Sequence, residues 1–279
     1  MAGGSHRYET APFLTYLAEV GGSHLHPGDD DATSALLRAL APQPKTRILE
    51  VGCGTGITLA RVLHHVDLHM EGVDGSRSML QLASRRLRAC GLASRVTLTC
   101  ACLEDVGWPA HSFHGAYAES VLGFQEEPVI RSCLRALFRA LKPAGLLVLN
   151  DAIWKPDLDH AQIARVVQSS RADFGLPPAT ASGWDLARWE LELSGAGFER
   201  VCSERLADLP PSSVPHLPEP AASRRFTRRR MLPSRLTPRL IIQRRQYHKK
   251  LEIHRTNWRF LESRLFVVRK PTGPTPSLG

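Results

Sequence analysis

Long apolar runs are missing from this sequence of 279 residues. No stretch approaches the roughly 18 apolar residues that a membrane-spanning helix needs, and the N-terminal segment lacks the apolar core of a signal peptide. Aromatic residues make up only 6% of the chain, which argues against a large platform for stacking bases. We therefore expect a cytoplasmic protein without a membrane span.

Cysteine spacing also excludes a common class of site. The chain has six cysteines, and no two of them are spaced as Cys-x-x-Cys, the usual zinc pattern. Cys100 and Cys102 are closer together than the ligand pairs of ordinary zinc knuckles. We expect reduced thiols and no metal site.

Positive charge is concentrated in one segment. Residues 222–270 contain 16 of the 36 Lys and Arg residues but only two of the 27 acidic residues, which gives a net charge of +14. The remainder of the chain has a net charge of −5. A basic segment attached to a mildly acidic body needs an explanation of its own.

An apolar strand pattern leads into three alternate glycines. Residues 48–56 read Ile-Leu-Glu-Val-Gly-Cys-Gly-Thr-Gly, so Gly52, Gly54 and Gly56 would bring bare backbone close to a ligand before the next helix. No lysine follows in the register of a phosphate-binding P-loop, and the third glycine comes one position too early for a dinucleotide fingerprint. Glu50 would repel a pyrophosphate but suits a cationic amino or sulfonium group.

Asp74 lies 18 residues after Gly56, at the end of a second apolar stretch. An acid at the end of the strand after a glycine turn can accept hydrogen bonds from both ribose hydroxyls of a nucleoside. The turn and the acid together therefore predict a nucleoside-binding site. A strand-to-helix turn with a purely structural role is the alternative.

Strand and helix patterns alternate along the chain. The predicted strands are residues 47–51, 69–74, 96–100, 115–118, 146–150, 198–204 and 264–268. The predicted helices are residues 7–20, 31–41, 58–65, 128–141 and 184–194, with another that begins after an N-cap at Ser76. This alternation predicts an α/β fold with a doubly wound, seven-stranded and mostly parallel sheet.

Four motifs resemble those of the class I S-adenosylmethionine-dependent methyltransferases. Residues 50–56 resemble the first motif, residues 73–80 the second, residues 141–149 the turn before the fifth strand, and residues 194–198 the turn into the sixth. The resemblance covers roughly residues 45–205 and the last strand. It implies a Rossmann-like methyltransferase fold with S-adenosyl-L-methionine as cofactor. It also implies a small-molecule branch similar to the sterol and prenyl C-methyltransferases.

The resemblance implies a set of cofactor contacts. They are Glu50, Gly52, Gly54, Gly56, Asp74, Gly75, Met79, Leu103 and Glu104. The family often has an Asp after the third strand that binds the adenine amine, but residues 100–105 read Cys-Ala-Cys-Leu-Glu-Asp here. Either Glu104 or Asp105 takes that role, or only the backbone of Leu103 contacts the adenine.

Glu119, at the end of the fourth predicted strand, is the main catalytic candidate. Methyl transfer from a sulfonium is an in-line displacement, so the protein contributes orientation, exclusion of water and, for acidic acceptors, a base. In relatives that methylate alkenes, an acid at the matching place stabilises a carbocation or removes its proton. The alternative is that Glu119 supports the cofactor or caps a helix.

Four segments are expected around this site. Residues 1–44 would form an N-terminal helical lid, and residues 45–208 with 263–270 the cofactor-binding core. Residues 209–262 would form a proline-rich and basic helical insertion, and residues 271–279 a flexible tail.

The lid supplies further candidates. His26 is the second catalytic candidate, and Tyr16 and His24 are candidate acceptor contacts. The alternative for each histidine is a solvent-facing loop residue, and for Tyr16 a place in the core.

The basic insertion has three interpretations. Its cationic face could be solvated on a packed helix, or it could be a pocket wall in which Arg244, Tyr247 and His248 bind an anionic acceptor. It could also bind nucleic acid or an anionic membrane.

A small-molecule methyltransferase is the favoured function. Its acceptor would be apolar with an anionic group, such as a prenyl diphosphate. The alternative is an RNA-modifying methyltransferase, although the Asn/Asp-Pro-Pro-Tyr/Phe tetrapeptide of many base N-methyltransferases is absent. A binding module without catalysis is disfavoured by the intact glycines and Asp74. The oligomeric state is left open.

Overall fold

The computed structural model describes residues 11–20, 28–102, 105–209, 216–232 and 237–273. They form a central sheet with helices packed on both faces. No helix within these ranges is long and apolar enough to cross a membrane.

Seven strands form a single sheet in the described part of the chain. They are β1 (Arg47–Val51), β2 (His69–Asp74), β3 (Val96–Cys100), β4 (Phe113–Glu119), β5 (Leu141–Trp154), β6 (Glu199–Arg205) and β7 (Leu261–Arg269). Their spatial order is β3-β2-β1-β4-β5-β7-β6. The first five run parallel, and β7 is antiparallel to both β5 and β6. The predicted doubly wound, mostly parallel sheet is confirmed.

Nine α-helices flank this sheet within the same ranges. They are α1 (Pro12–Val20), α2 (Asp29–Leu40), α3 (Ile57–His65), α4 (Arg77–Ala89), α5 (Glu127–Ala140), α6 (His160–Phe174), α7 (Leu186–Gly195), α8 (Ala221–Arg230) and α9 (Pro238–His254). Ser76 caps α4 as predicted, since its hydroxyl accepts a hydrogen bond from the Met79 amide at 3.3 Å.

β5 and α6 show the main differences from the expectations. β5 extends to Trp154 rather than residue 150 because β7 pairs with it as far as Leu261. The sequence analysis did not predict α6. This helix begins with a capping box in which Asp159 and Gln162 exchange hydrogen bonds, and it ends at Gly175 in the left-handed conformation.

The apolar core has two layers, one on each face of the sheet. One layer joins the sheet to α5 and α7 through side chains such as Leu134 and Trp189. The other joins it to α2, α3 and α4 through side chains such as Leu36 and Leu63. Both faces of the central parallel strands are therefore covered, which explains their continuous apolar sequences.

Two buried arginines of the body attach it to the insertion, in addition to Lys250 of α9, which pairs with Asp173 of α6 at 3.1 Å. Arg86 of α4 is fully buried, and its guanidinium donates to the Ser223 hydroxyl at 2.9 Å and the Thr227 hydroxyl at 2.8 Å. It also donates to the carbonyl of Thr55 at 2.9 Å, and Thr55 lies within the glycine turn, between Gly54 and Gly56. Burial lowers the pKa of Arg86 to about 10.

Arg61 of α3 makes a second attachment. Its fully buried guanidinium donates to the carbonyls of His216 and Leu217, at 3.0 and 2.8 Å, and pairs with Asp30 of α2. Two body arginines thus fix the start of the insertion and the start of α8, and they satisfy backbone carbonyls that would otherwise be unpaired.

Candidate active site

One cavity of about 510 Å³ lies at the carboxyl ends of the parallel strands. In open α/β sheets this edge is where ligands bind. The glycine turn, Asp74, Glu119 and Asp151 line the cavity next to the sheet. We call this part the donor end, and the apolar part between α1, α6 and α9 the acceptor end.

The glycine turn leaves its backbone open to the cavity. Gly52, Gly54 and Gly56 all have positive φ angles, of 69°, 49° and 76°. A Cβ on Gly52 would lie 2.3 Å from Val121 Cγ2, whereas a Cβ on Gly54 would meet no atom within 4 Å. Because Gly54 lines the cavity, the space that its missing side chain leaves is available to a ligand.

Asp74 connects the end of β2 to this turn. Its Oδ2 accepts from the Gly54 amide at 2.8 Å, and its Oδ1 accepts from the Ser76 amide at 2.8 Å. Burial raises its pKa, and these two hydrogen bonds oppose the shift. The side chain is thus held in place at the cavity wall, where a ribose would be bound.

Glu50 lies at the floor of the cavity and is 5% exposed. It accepts a hydrogen bond from the Tyr117 hydroxyl at 2.8 Å. Burial, and then the nearby Glu119 carboxylate, raise the pKa of Glu50 well above its usual range. A cation bound at this place would favour the ionised carboxylate.

The donor end therefore fits S-adenosyl-L-methionine. This cofactor contains an ammonium and a sulfonium, and the described cavity wall includes four carboxyl groups but no Lys or Arg. The open space at Gly54 provides the close backbone approach that a nucleoside cofactor needs. Gly75 and Met79, which the resemblance implies as cofactor contacts, also line the cavity.

Glu119 lies at the end of β4, between the donor end and helix α2. The Thr33 hydroxyl of α2 donates to its Oε2 at 2.7 Å, and the Thr58 hydroxyl of α3 donates to its Oε1 at 3.1 Å. The carboxylate thus connects the lid helix to the core while it lines the cavity.

The acceptor end is mostly apolar. Phe13 and Leu17 of α1, Phe174 of α6, and Leu251 of α9 line it, and Trp258 follows α9. The side chains of Leu251 and Trp258 are 48% and 44% exposed, so they lie where the cavity meets solvent.

His254 contributes a polar wall to this end. Its Nε2 donates to Asp173 Oδ2 at 2.8 Å, and its Nδ1 accepts from the Asn257 amide at 3.0 Å. Since both ring nitrogens are engaged, the ring positions α9 against α6 rather than offering a base to a ligand.

Some predicted site residues lie elsewhere. Gly56 caps α3 and packs against Ala83, where a Cβ would lie 2.9 Å from the Ala83 Cβ, and it does not line the cavity. Tyr16 and Tyr247 pack against each other with ring centroids 4.8 Å apart, behind the cavity wall.

Arg244 and His248 are exposed on α9 and do not line the cavity. Four other predicted site residues (His24, His26, Leu103 and Glu104) lie outside the described residues, as does part of the predicted tail. Asp105 is described and exposed.

Sequence reasoning missed most of the acceptor end. Phe174 belongs to a helix that was not predicted, and no motif connects Phe13, Leu251 and Trp258 in sequence. The capping box at Asp159 was the available signal for α6. Asp151 is the exception: because it directly follows the predicted fifth strand, its position alone predicts a place near the pocket rim.

Sequence relatives agree with this site. A family model described as a methyltransferase domain matches residues 48–145. The uncharacterized methyltransferase YodH of Bacillus subtilis is 35% identical over 150 residues, which cover 54% of this chain and 62% of that protein. Phosphoethanolamine N-methyltransferase 1 of Arabidopsis thaliana is 25% identical over 203 residues, which cover 72% of this chain and 38% of that protein. The chain thus spans less than two thirds of the length of these relatives.

Solved structures share the fold. The [4+2]-cyclase SpnF superposes with a TM-score of 0.68 at 20% identity and covers 97% of both chains. Geranyl diphosphate C-methyltransferase of Streptomyces coelicolor superposes with a TM-score of 0.61 at 14% identity and covers 87% of this chain and 76% of that one. Residues 48–145 thus match a methyltransferase domain, and the chain shares its fold with these solved structures.

Proposed function

We propose that this protein is an S-adenosylmethionine-dependent methyltransferase that acts on a small, largely apolar acceptor. One observation carries the proposal: a single cavity joins the glycine turn and Asp74 to an apolar chamber between three helices. Its volume, about 510 Å³, lies in the range of small-molecule sites.

The chain's own residues bind and orient in this proposal. Asp74 holds the ribose, Glu50 faces the cationic part of the cofactor, and the apolar chamber excludes water from the acceptor. When bound, S-adenosyl-L-methionine supplies a methyl group on a sulfonium. Glu119, which Thr33 and Thr58 fix in position, remains the candidate residue beside the reacting centre.

The charge of the cavity bears on the acceptor. We expected an anionic acceptor such as a prenyl diphosphate, bound by Arg244, Tyr247 and His248. None of these three lines the cavity, and none of its described lining residues is a Lys or Arg. We therefore propose that the reacting end of the acceptor is neutral or cationic. An anionic end would have to lie outside the cavity, on the side of the basic segment.

The RNA-modifying alternative rests on the exposed cations of α8 and α9, which include Arg228, Arg229, Arg244 and Arg245. Titration of a single-stranded RNA 20-mer against salt discriminates between the two functions. The small-molecule proposal predicts weak binding. Tight binding with a steep salt dependence would instead support the RNA-modifying function.

Calorimetry with S-adenosyl-L-methionine and S-adenosylhomocysteine tests the cofactor part of the proposal. Both should bind the wild type, and Asp74→Ala should weaken binding by roughly 1.5–3 kcal/mol, the magnitude for hydrogen bonds to a charged group. Asp67→Ala is the matched control because its side chain is 83% exposed. Release of S-adenosylhomocysteine in the presence of an acceptor then tests methyl transfer. Absence of cofactor binding to the wild type would overturn the proposal, and equal binding to Asp74→Ala would remove the role of Asp74.

A further inference from the structure

Asp151 has a carboxyl group in the cavity wall and is not one of the proposed cofactor contacts. It lies on β5, is 2% exposed and lines the cavity beside Gly123. Its Oδ1 accepts from the Gly123 amide at 3.0 Å. Its Oδ2 is buried and has no hydrogen-bond partner among the described residues. Gly123 permits this packing, since a Cβ there would lie 2.7 Å from Oδ1.

Ser120 directly follows β4, the strand next to β5, and it also has a side-chain oxygen without a hydrogen-bond partner in the described chain. Its amide donates to the Asn150 carbonyl at 2.7 Å, which places it beside Asp151. Its hydroxyl is buried without a partner in the described chain, and its backbone has a φ of 50°. A buried polar atom without a partner destabilises the fold, because it has lost its hydrogen bonds to water. Two such atoms in one cavity wall indicate that a ligand supplies their partners.

The charges around Asp151 and Ser120 favour a cationic ligand over an anionic one. Burial raises the pKa of Asp151 to about 7, although hydrogen bonds from the Gly123 and Leu122 amides to the carboxyl group oppose the shift. The other titratable side chains of the described wall are Cys53, Cys102, Glu50, Asp74, Glu119 and His254. None of them carries a fixed positive charge. An anionic group here would be repelled by the ionised carboxylates, whereas an ammonium group would be attracted.

We propose that Ser120 and Asp151 form the acceptor subsite, and that this subsite takes an aliphatic amine. The inference rests on the proposed function and specifies its acceptor class. An ammonium N–H donates to Asp151 Oδ2, and a second N–H donates to Ser120 Oγ. Transfer of the first proton to Oδ2 leaves the electron pair on the nitrogen, so the amine becomes the neutral form that a nucleophile requires. The apolar chamber holds the aliphatic part.

Calorimetry with octylamine and octanol tests this subsite in the presence of S-adenosylhomocysteine. Asp151→Asn should weaken octylamine binding by about tenfold or more, because a charged hydrogen-bonded pair is lost. Octanol affinity should change by less than about twofold. Asp157→Asn, at an exposed position in the turn after β5, is the control and should change neither.

A pH series on the wild type needs no variant. Octylamine remains protonated from pH 6 to 8, so its affinity should rise across this range as Asp151 ionises. Asp151→Asn should remove the rise. Octylamine binding that is pH-independent in the wild type, or equal in strength to octanol binding, would overturn the inference. Failure of S-adenosylhomocysteine to bind would count against the proposed function instead.

Discussion

The two ends of the cavity are built in different ways. The donor end comes largely from the continuous stretch between Glu50 and Met79, in which two strands and a turn bring Glu50 and Asp74 together with the glycine backbone. The acceptor end comes from α1, α6 and α9, which lie far apart in the sequence. The comparison teaches that a local motif can specify one ligand while long-range packing specifies the other.

Hydrogen bonding separates the ends further. At the donor end Asp74 and Glu50 already have partners within the chain, in the Gly54 amide and the Tyr117 hydroxyl. Asp151 Oδ2 and Ser120 Oγ, which bind the acceptor in our proposal, have none among the described residues. Asp74 and Glu50 are thus held in place before the cofactor binds, whereas Asp151 and Ser120 would gain their missing partners from the acceptor.

Removal of Arg86 should give the largest effect, because this residue joins the glycine turn to α8. Arg86→Ala should lower the free energy of unfolding by about 3–5 kcal/mol, the magnitude for breaking a buried charged network. Urea unfolding measures this, with the exposed Arg228→Ala as the control at less than about 0.5 kcal/mol. A loss no larger than that of the control would show that Arg86 does not join the glycine turn to α8.

Sequence reasoning recovered the donor end because its signals are local. The glycines, Asp74 and the Ser76 cap each depend on neighbours within a few residues or on the next strand. The acceptor end depends on which helices pack together. The packing of Phe13 on Phe174, with centroids 5.1 Å apart, joins residues that share no motif. The position of the basic segment also depends on long-range packing, through buried Arg61 and Arg86 of the body. The sequence therefore did not show that the exposed cations of this segment do not line the cavity.

The buried carboxyl group of Asp151 should destabilise the fold over a defined pH window. The pKa of Asp151 rises from 3.8 to about 7 in the folded state, so the folded protein binds one more proton than the unfolded chain between these values. Its contribution to stability is therefore present below pH 4 and is lost as the pH rises to 7.

Asp151→Asn removes this dependence. The free energy of unfolding of the variant, relative to wild type, should rise by up to about 1.4 kcal/mol per pH unit in that window. Urea unfolding at pH 4.5, 5.5 and 6.5 measures the difference, and Asp157→Asn should show none. A flat difference for Asp151→Asn would contradict the assigned environment.

Two glycines of the turn should respond differently. Gly52→Ala places a Cβ against buried Val121 and should destabilise the fold by about 1–3 kcal/mol. Gly54→Ala meets no atom, so it should destabilise the fold less and weaken S-adenosylhomocysteine binding instead. Thermal unfolding and calorimetry on both variants measure the two effects. The reverse pattern would show that Gly54 has a structural role and not a binding one.

Arg244→Ala should have the smallest effect. Its side chain is exposed and does not line the cavity, so octylamine and S-adenosylhomocysteine should bind within about twofold of wild type. A large loss of octylamine binding would show that the basic segment contributes to the acceptor site.

A crystal structure with S-adenosylhomocysteine and octylamine bound tests the central claim, that one cavity binds both ligands at separate ends. The account predicts electron density for the nucleoside against Asp74 and Gly54. It predicts the octylamine nitrogen within hydrogen-bond distance of Asp151 Oδ2, with its chain between α1, α6 and α9. Density for the amine against the outer face of α8 or α9, with the acceptor end empty, would contradict it.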